Sequence, residues 1–114
     1  MHEVGIMESA LALVQRQVAD HHAQRVGRVV LRVGALAGVE VESLRFAFDV
    51  VSRGTPAEGA TLEIESVPAL VFCPTCQREF PGTDGFIFAC PGCGDFCSEI
   101  RQGRELELSR IELL

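Results

Sequence analysis

Several features that would define a function class are missing from this chain of 114 residues. It has no lysine, and its ten basic residues, all arginine, form no basic run against 16 acidic residues. A chain of net charge −6 without a basic patch is poorly suited to neutralising a phosphate backbone, so nucleic acid is a disfavoured partner. No apolar stretch approaches the roughly 20 residues that cross a bilayer, and no secretory signal is visible. We therefore expect a cytoplasmic protein that does not insert into a membrane.

Motifs of catalysis are also missing. The chain lacks the G-x-x-x-x-G-K-[ST] phosphate loop, so any nucleotide hydrolysis is expected to belong to a partner. No Ser-His-Asp set and no paired acids near a histidine stand out as a catalytic site. The sequence thus predicts a carrier or binding protein rather than an enzyme.

Apolar periodicity predicts two helices. Apolar residues recur every three or four positions from Glu3 to about His22, which is typical of an amphipathic helix. A second helix is predicted from Ser43 to Arg53, with Ser43 as its N-cap and Gly54 as its stop signal.

The remaining regular segments have the patterns of β-strands. They cover residues 28–36, 61–67 and 106–113. We predict an α+β fold in which two helices pack on this three-stranded sheet, with a cysteine-rich insert between the second and third strands. The α+β domain is expected to take residues 1–68 and to be completed by residues 101–114, and the insert to take residues 69–100.

Five cysteines lie in the insert. In a reducing cytoplasm, clustered cysteines are better interpreted as metal ligands than as disulfides. Two C-x-x-C pairs, "CPTC" at Cys73 and Cys76 and "CPGC" at Cys90 and Cys93, favour tight turns whose backbone N–H groups point at sulfur. Four thiolates in a tetrahedron suit a closed, structural Zn²⁺ site, so we predict a zinc ribbon with these four ligands. Cys97 is a spare thiol with no assigned role.

Two other interpretations of the cysteine pairs are disfavoured. A thioredoxin-like redox pair needs a βαβ context that the sequence does not offer. Between Leu70 and Ser98, Arg78 is the single basic residue against three acidic ones, and a four-thiolate zinc centre adds two negative charges. A structural or partner-docking ribbon therefore fits better than a nucleic-acid clamp.

The opening Met-His-Glu allows two interpretations. A bulky His2 is expected to keep Met1 in place, so the Met1 α-amine, the His2 amide and the His2 imidazole offer three nitrogens that close chelate rings on one metal. Glu3 adds an oxygen, and in-plane nitrogen donors suit Ni(II) or Cu(II). Equally, Glu3 is a favourable acid for a first helical turn, and a chain can begin Met-His by chance. His21 and His22 are left out of the site.

Five segments in the right order resemble the HypA/HybF family of hydrogenase nickel-insertion proteins. They are "MHEVGIMESALALV", "VESLRFAFDVV", "CPTC", "CPGCG" and "GRELELSRIEL". The resemblance implies a metallochaperone that delivers Ni(II) during maturation of [NiFe] hydrogenase and, in some organisms, of urease. It also implies two partners, a maturation GTPase and the precursor of the hydrogenase large subunit.

Carried over by position, the resemblance implies specific metal ligands. Met1, His2 and Glu3 match the nickel site, and the two cysteine pairs match the zinc site. The loop acids Glu40 and Glu42 are expected to approach the nickel end. A zinc-ribbon adaptor that only docks proteins is the alternative, and it predicts zinc without a nickel site. We expect a monomer or a weak homodimer.

Overall fold

The structure is a computed structural model that describes residues 2–83 and 87–114. It confirms the predicted α+β class, with two helices, a three-stranded sheet and a cysteine module inserted before the last strand. In chain order the elements are α1 His2–Asp20, β1 Val26–Gly34, α2 Val41–Val51, β2 Thr61–Val67, β3 Leu70–Cys73, β4 Arg78–Pro81, β5 Phe88–Ala89, β6 Phe96–Cys97, β7 Glu99–Gln102 and β8 Leu106–Leu113. Within the described residues, no helix is long and apolar enough to cross a membrane.

The chain divides into two compact units. The first comprises the chain up to Arg32 together with Val39–Glu65 and Glu107–Leu114, and the second comprises Val33–Gly38 and Ser66–Leu106. The assignment of a nickel-binding domain to residues 1–68 and 101–114, and of the zinc ribbon to residues 69–100, stays a prediction.

Helices α1 and α2 pack against each other in the first unit. On α1 the buried apolar side chains repeat every three or four positions, as predicted; they are Met7, Ala10, Leu11, Val14 and Val18. On α2 the buried side chains are Leu44, Ala47 and Phe48. Burying these faces removes apolar surface from water, which is the main stabilising term for an amphipathic helix.

The predicted N-cap of α2 is wrong. The cap is Glu40, which has extended backbone angles (φ −95°, ψ 117°) and accepts a hydrogen bond from the Glu42 N–H. The bond length is 2.8 Å. Ser43 is a more common capping residue than glutamate, so the sequence favoured a start that is too late. The helix also ends earlier than predicted, at Val51, where the Ser52 N–H donates to the Phe48 carbonyl.

Strand β1 is the central strand of the first sheet, between β2 and β8. It begins two residues before the predicted segment, and Val29 and Val30 are almost fully buried. Arg28 on β1 donates to Glu63 on β2 at 2.8 Å and to Glu112 on β8 at 3.2 Å. One arginine therefore links all three strands, although such half-exposed ion pairs contribute little individually.

The second sheet belongs to the cysteine module, where β3 lies between β4 and β7. Val71 on β3 faces Phe80 on β4, and both are buried together with Phe88, Cys73 and Cys90. The module therefore has only a small apolar core, and two of its members are candidate metal ligands.

Candidate metal centres

The two cysteine pairs converge on one cluster. The sulfurs of Cys73, Cys76, Cys90 and Cys93 all lie within 4.8 Å of one another. Cys73 Sγ is 3.6 Å from Cys93 Sγ, and Cys76 Sγ is 3.8 Å from Cys90 Sγ. A regular tetrahedron with Zn–S bonds of about 2.3 Å has edges of about 3.8 Å. The spacing of the sulfurs therefore fits a tetrahedral divalent cation.

Tight turns position the sulfurs in both pairs. The Cys76 N–H donates to Cys73 Sγ at 3.4 Å, and the Gly92 N–H donates to Cys90 Sγ at 3.3 Å. The second turn closes at Gly94, whose φ of +81° is in the region that favours glycine and whose N–H donates to the Cys90 carbonyl. The N–H groups thus point at sulfur, as the proline and glycine pattern predicts.

Backbone hydrogen bonds, burial and neighbouring thiols shift the pKa values of the cluster cysteines in different directions. The Cys76 N–H lowers the pKa of Cys73 to about 6. The Asp95 N–H favours the Cys93 thiolate, but burial and the neighbouring thiols raise the pKa of Cys93 to about 12. Four thiolates this close repel one another strongly, and a divalent cation would offset that repulsion.

Cys97 lies beside the cluster but outside the group of four. Its side chain is half-buried, and its thiol donates to the Asp95 carbonyl at 3.5 Å. Burial raises the pKa of Cys97 to about 11. The thiol is therefore held in its neutral, weakly nucleophilic form.

At the start of α1, the structure brings together two of the three predicted nickel residues and one loop residue. Met1 lies outside the described residues. His2 is exposed, while Glu3 is buried, with only 6% of its surface accessible. Glu3 Oε2 is 3.2 Å from His2 Nε2 and accepts a hydrogen bond from the Glu40 N–H at 3.3 Å. A single carboxylate oxygen thus contacts both the first helix residue and the cap of α2.

The two loop acids have different surroundings. The Glu40 N–H contacts Glu3, and this bond is the main reason that the pKa of Glu3 lies below its usual value. The Glu42 carboxylate is 3.5 Å from Arg45 on α2. Glu40 therefore meets the expectation that it approaches the start of α1, through its backbone, whereas Glu42 pairs within its own helix.

These observations define a small α+β protein with an inserted four-cysteine ribbon and a His-Glu pair at the start of its first helix. A family model described as "Hydrogenase/urease nickel incorporation, metallochaperone, hypA" matches residues 1–113. The hydrogenase maturation factor HypA of Chloroflexus aurantiacus is 44% identical over 112 residues, which is 98% of each chain. The chain belongs to the HypA family, as its motifs predict.

Two solved structures have the same fold. A solution structure of HypA protein covers 100% of this chain and 97% of its own, with a TM-score of 0.71 and 25% identity. The solution structure of the Ni metallochaperone HypA from Helicobacter pylori covers 98% of this chain and 97% of its own, with a TM-score of 0.66 and 22% identity. These likenesses support the arrangement of two helices and small sheets.

Proposed function

We propose that this protein is a cytoplasmic nickel metallochaperone that delivers Ni(II) during maturation of [NiFe] hydrogenase and, where an organism contains it, of urease. Membership of the HypA family supports the maturation role. The observation that supports the nickel role is the contact of Glu3 with both His2 and Glu40, because it holds a side chain that is able to bind a metal at the start of α1.

The nickel site that we propose consists of Met1, His2 and Glu3. The α-amine of Met1 and the amide and imidazole nitrogens of His2 supply donors that suit Ni(II). Because His2 is the first residue of α1, its backbone N–H has no acceptor within the helix and is available for deprotonation. His2 is exposed, so a metal bound there would be accessible to a receiving protein, which a carrier requires.

Glu3 serves this site chiefly by orienting the His2 ring. A six-membered chelate ring with the His2 amide uses Nδ1, which leaves Nε2 for a hydrogen bond. His2 Nε2 is the ring nitrogen that lies 3.2 Å from Glu3 Oε2. A carboxylate behind a metal-binding histidine fixes the ring and its tautomer and strengthens it as a donor.

The zinc site that we propose consists of Cys73, Cys76, Cys90 and Cys93. All four positions of a tetrahedral cation would be filled by sulfur, so no position remains for a catalytic water, and the role is structural. Because the module has a small apolar core, the cation would supply much of its folding free energy.

We place two partners downstream of nickel binding. A maturation GTPase would supply the nucleotide-driven step, since this chain has no phosphate loop of its own. The precursor of the hydrogenase large subunit would receive the nickel.

A nickel titration of zinc-loaded protein tests the proposal. We expect one tight site that His2→Ala weakens at least about tenfold, because the imidazole is lost from a multidentate site. His21→Ala is the matched control: His21 is also an exposed histidine of the first unit, but its Nδ1 contacts the Gln17 carbonyl. Equal affinities of the wild type and both variants would contradict the nickel proposal.

The protein-docking adaptor is the second candidate. Ile87 and Phe96 in the cysteine module are more than three-quarters exposed, and exposed large apolar side chains that cluster can mark a docking site. The adaptor predicts zinc binding but no nickel site, so the same titration separates the two candidates.

A further inference from the structure

The guanidinium of Arg78 and two cluster sulfurs surround the backbone of Gly92. Arg78 begins β4 and pairs across the strands with Cys73. A Cβ placed on Gly92 would be 3.1 Å from Arg78 Nη2, 3.4 Å from Cys76 Sγ and 3.7 Å from Cys90 Sγ. Because position 92 is glycine, this residue places no side chain between the guanidinium and these two sulfurs.

Arg78 is a lone positive charge beside a centre that would be negative. A divalent cation with four thiolates carries two units of negative charge, and Arg78 is the single basic residue between Leu70 and Ser98. Among residues 2–83 and 87–114, no carboxylate forms an ion pair with Arg78. The guanidinium therefore faces the cluster with its charge uncompensated by the described acids.

Arg101 has a different environment and provides a control. It lies over the Phe72 ring, 4.0 Å from the ring centroid, and it pairs with Glu99. Glu99 compensates the charge of Arg101, and Phe72 stacks on its guanidinium. Arg101→Gln therefore changes the net charge of the chain by as much as Arg78→Gln does, but it leaves the cation beside Cys76 and Cys90 in place.

We propose that Arg78 is a positioning residue for the four-cysteine centre, which compensates the charge of the metal-bound thiolates and slows metal release. This inference rests on the zinc part of the proposed function. A cation close to two of the sulfurs lowers the electrostatic energy of an anionic four-thiolate centre, so its removal should weaken retention of the metal. Because Arg78 is exposed, solvent and salt screen the interaction, so the effect is moderate and depends on ionic strength.

The rate of zinc transfer from the full chain to a chromophoric chelator tests the proposal. At low salt we expect Arg78→Gln to release zinc about three- to tenfold faster than the wild type, because a cation near two of the cluster sulfurs is lost. Arg101→Gln should match the wild type, and Arg78→Lys should restore part of the retention by restoring the charge. The difference caused by Arg78→Gln should shrink in high salt, which a purely structural role would not predict.

A second variant and a spectroscopic measurement keep the test independent of folding defects in Arg78→Gln. Gly92→Ala places a methyl group beside both the guanidinium and Cys76 Sγ without changing any charge. If it acts by displacing Arg78, it should speed zinc release in the wild type and have little further effect in Arg78→Gln, whereas a direct effect on the sulfurs would be equal in both. In the cobalt-substituted protein, loss of the neighbouring cation should move the thiolate-to-metal charge-transfer band to lower energy in Arg78→Gln.

Two outcomes would overturn the proposal, and only the second would also overturn the proposed zinc site. If the wild type takes up zinc and cobalt, and Arg78→Gln matches it in release rate and band energy, Arg78 has no such role while the zinc site stands. If the wild type takes up neither metal, both the zinc site and the role of Arg78 are wrong.

Discussion

The Glu40 N–H donates a hydrogen bond to Glu3 Oε2 at 3.3 Å, although 37 residues separate the two glutamates in the chain. The bond joins the first turn of α1 to the cap of α2, and the same Glu3 oxygen contacts the His2 ring. The start of α1 is therefore held by a tertiary contact, whereas helix ends that lack one usually fray. A metal site at this end of α1 would therefore use a His2 ring that already contacts Glu3.

Glu3→Gln is expected to lower nickel affinity about tenfold, because a neutral amide holds a metal-binding imidazole less well than a carboxylate does. Calorimetric titration of nickel into zinc-loaded protein measures the change. Glu8→Gln, at an exposed position of α1, removes the same charge from the helix without touching His2 and should leave the affinity unchanged. An unaltered affinity in Glu3→Gln would show that the carboxylate neither orients the ring nor binds the metal.

Glu3 should also make the stability of the nickel-free protein depend on pH. The Glu40 N–H is the main cause that lowers the pKa of Glu3 below its usual 4.5. A carboxyl group with a lowered folded-state pKa contributes stability that is complete above the unfolded-state pKa and is lost as pH falls through the folded-state pKa. Urea unfolding of the wild type and Glu3→Gln should therefore differ most above pH 4.5 and converge in stronger acid. A difference that stays constant over this range would argue against an ionised, hydrogen-bonded Glu3.

The N-cap of α2 can be tested by paired alanine substitutions. Glu40→Ala removes the acceptor for the Glu42 N–H and should lower the free energy of unfolding by about 1 kcal/mol. Ser43→Ala lies inside the first turn and should be close to neutral, because alanine is a good helix former. Denaturant unfolding of both variants measures the change in the free energy of unfolding. A larger loss in Ser43→Ala than in Glu40→Ala would show that Ser43 is the cap.

Removing one cluster thiol should unfold the cysteine module. In Cys76→Ser we expect loss of zinc, together with loss of amide protection in β3, β4 and β7, because the small apolar core there needs the metal. Protection in α1 should persist, since its buried face belongs to the first unit. Cys97→Ser should retain one zinc ion and full protection. If Cys97→Ser lost zinc and Cys76→Ser retained it, Cys97 rather than Cys76 would be the zinc ligand.

The parts of the fold that the sequence predicted are those with strong periodicity. The stripe from Met7 to Val18 identifies α1, and the alternation in "TLEIESV" identifies β2 with its exact bounds. Strand β1 is apolar over most of its length, so its ends lack an alternating signal, and it begins two residues earlier than predicted. The short strands of the cysteine module have two to four residues each, too few for a periodic pattern.

The grouping of the four cysteines was predictable from the sequence, whereas the surroundings of the two candidate sites were not. Spacing alone identified the four cysteines, because two C-x-x-C turns limit how their sulfurs can meet. The contact between Glu3 and Glu40 and the approach of Arg78 to Gly92 have no local signal, because each depends on tertiary packing of distant segments. The wrong N-cap has a different origin: glutamate caps a helix less often than serine, so local propensity favoured Ser43 over Glu40.

In the proposed nickel site, the α-amine of Met1 is the donor that most sharply distinguishes a terminal site from any other. We would titrate nickel into zinc-loaded protein that begins at Met1 and into a version with one extra glycine before Met1. We expect one tight site in the first protein and its loss in the second, with zinc retained in both, because the added residue converts the Met1 amine into an amide and removes it as a terminal donor. Equal, tight nickel binding by the two proteins would contradict the terminal site and leave Met-His-Glu as the start of a helix.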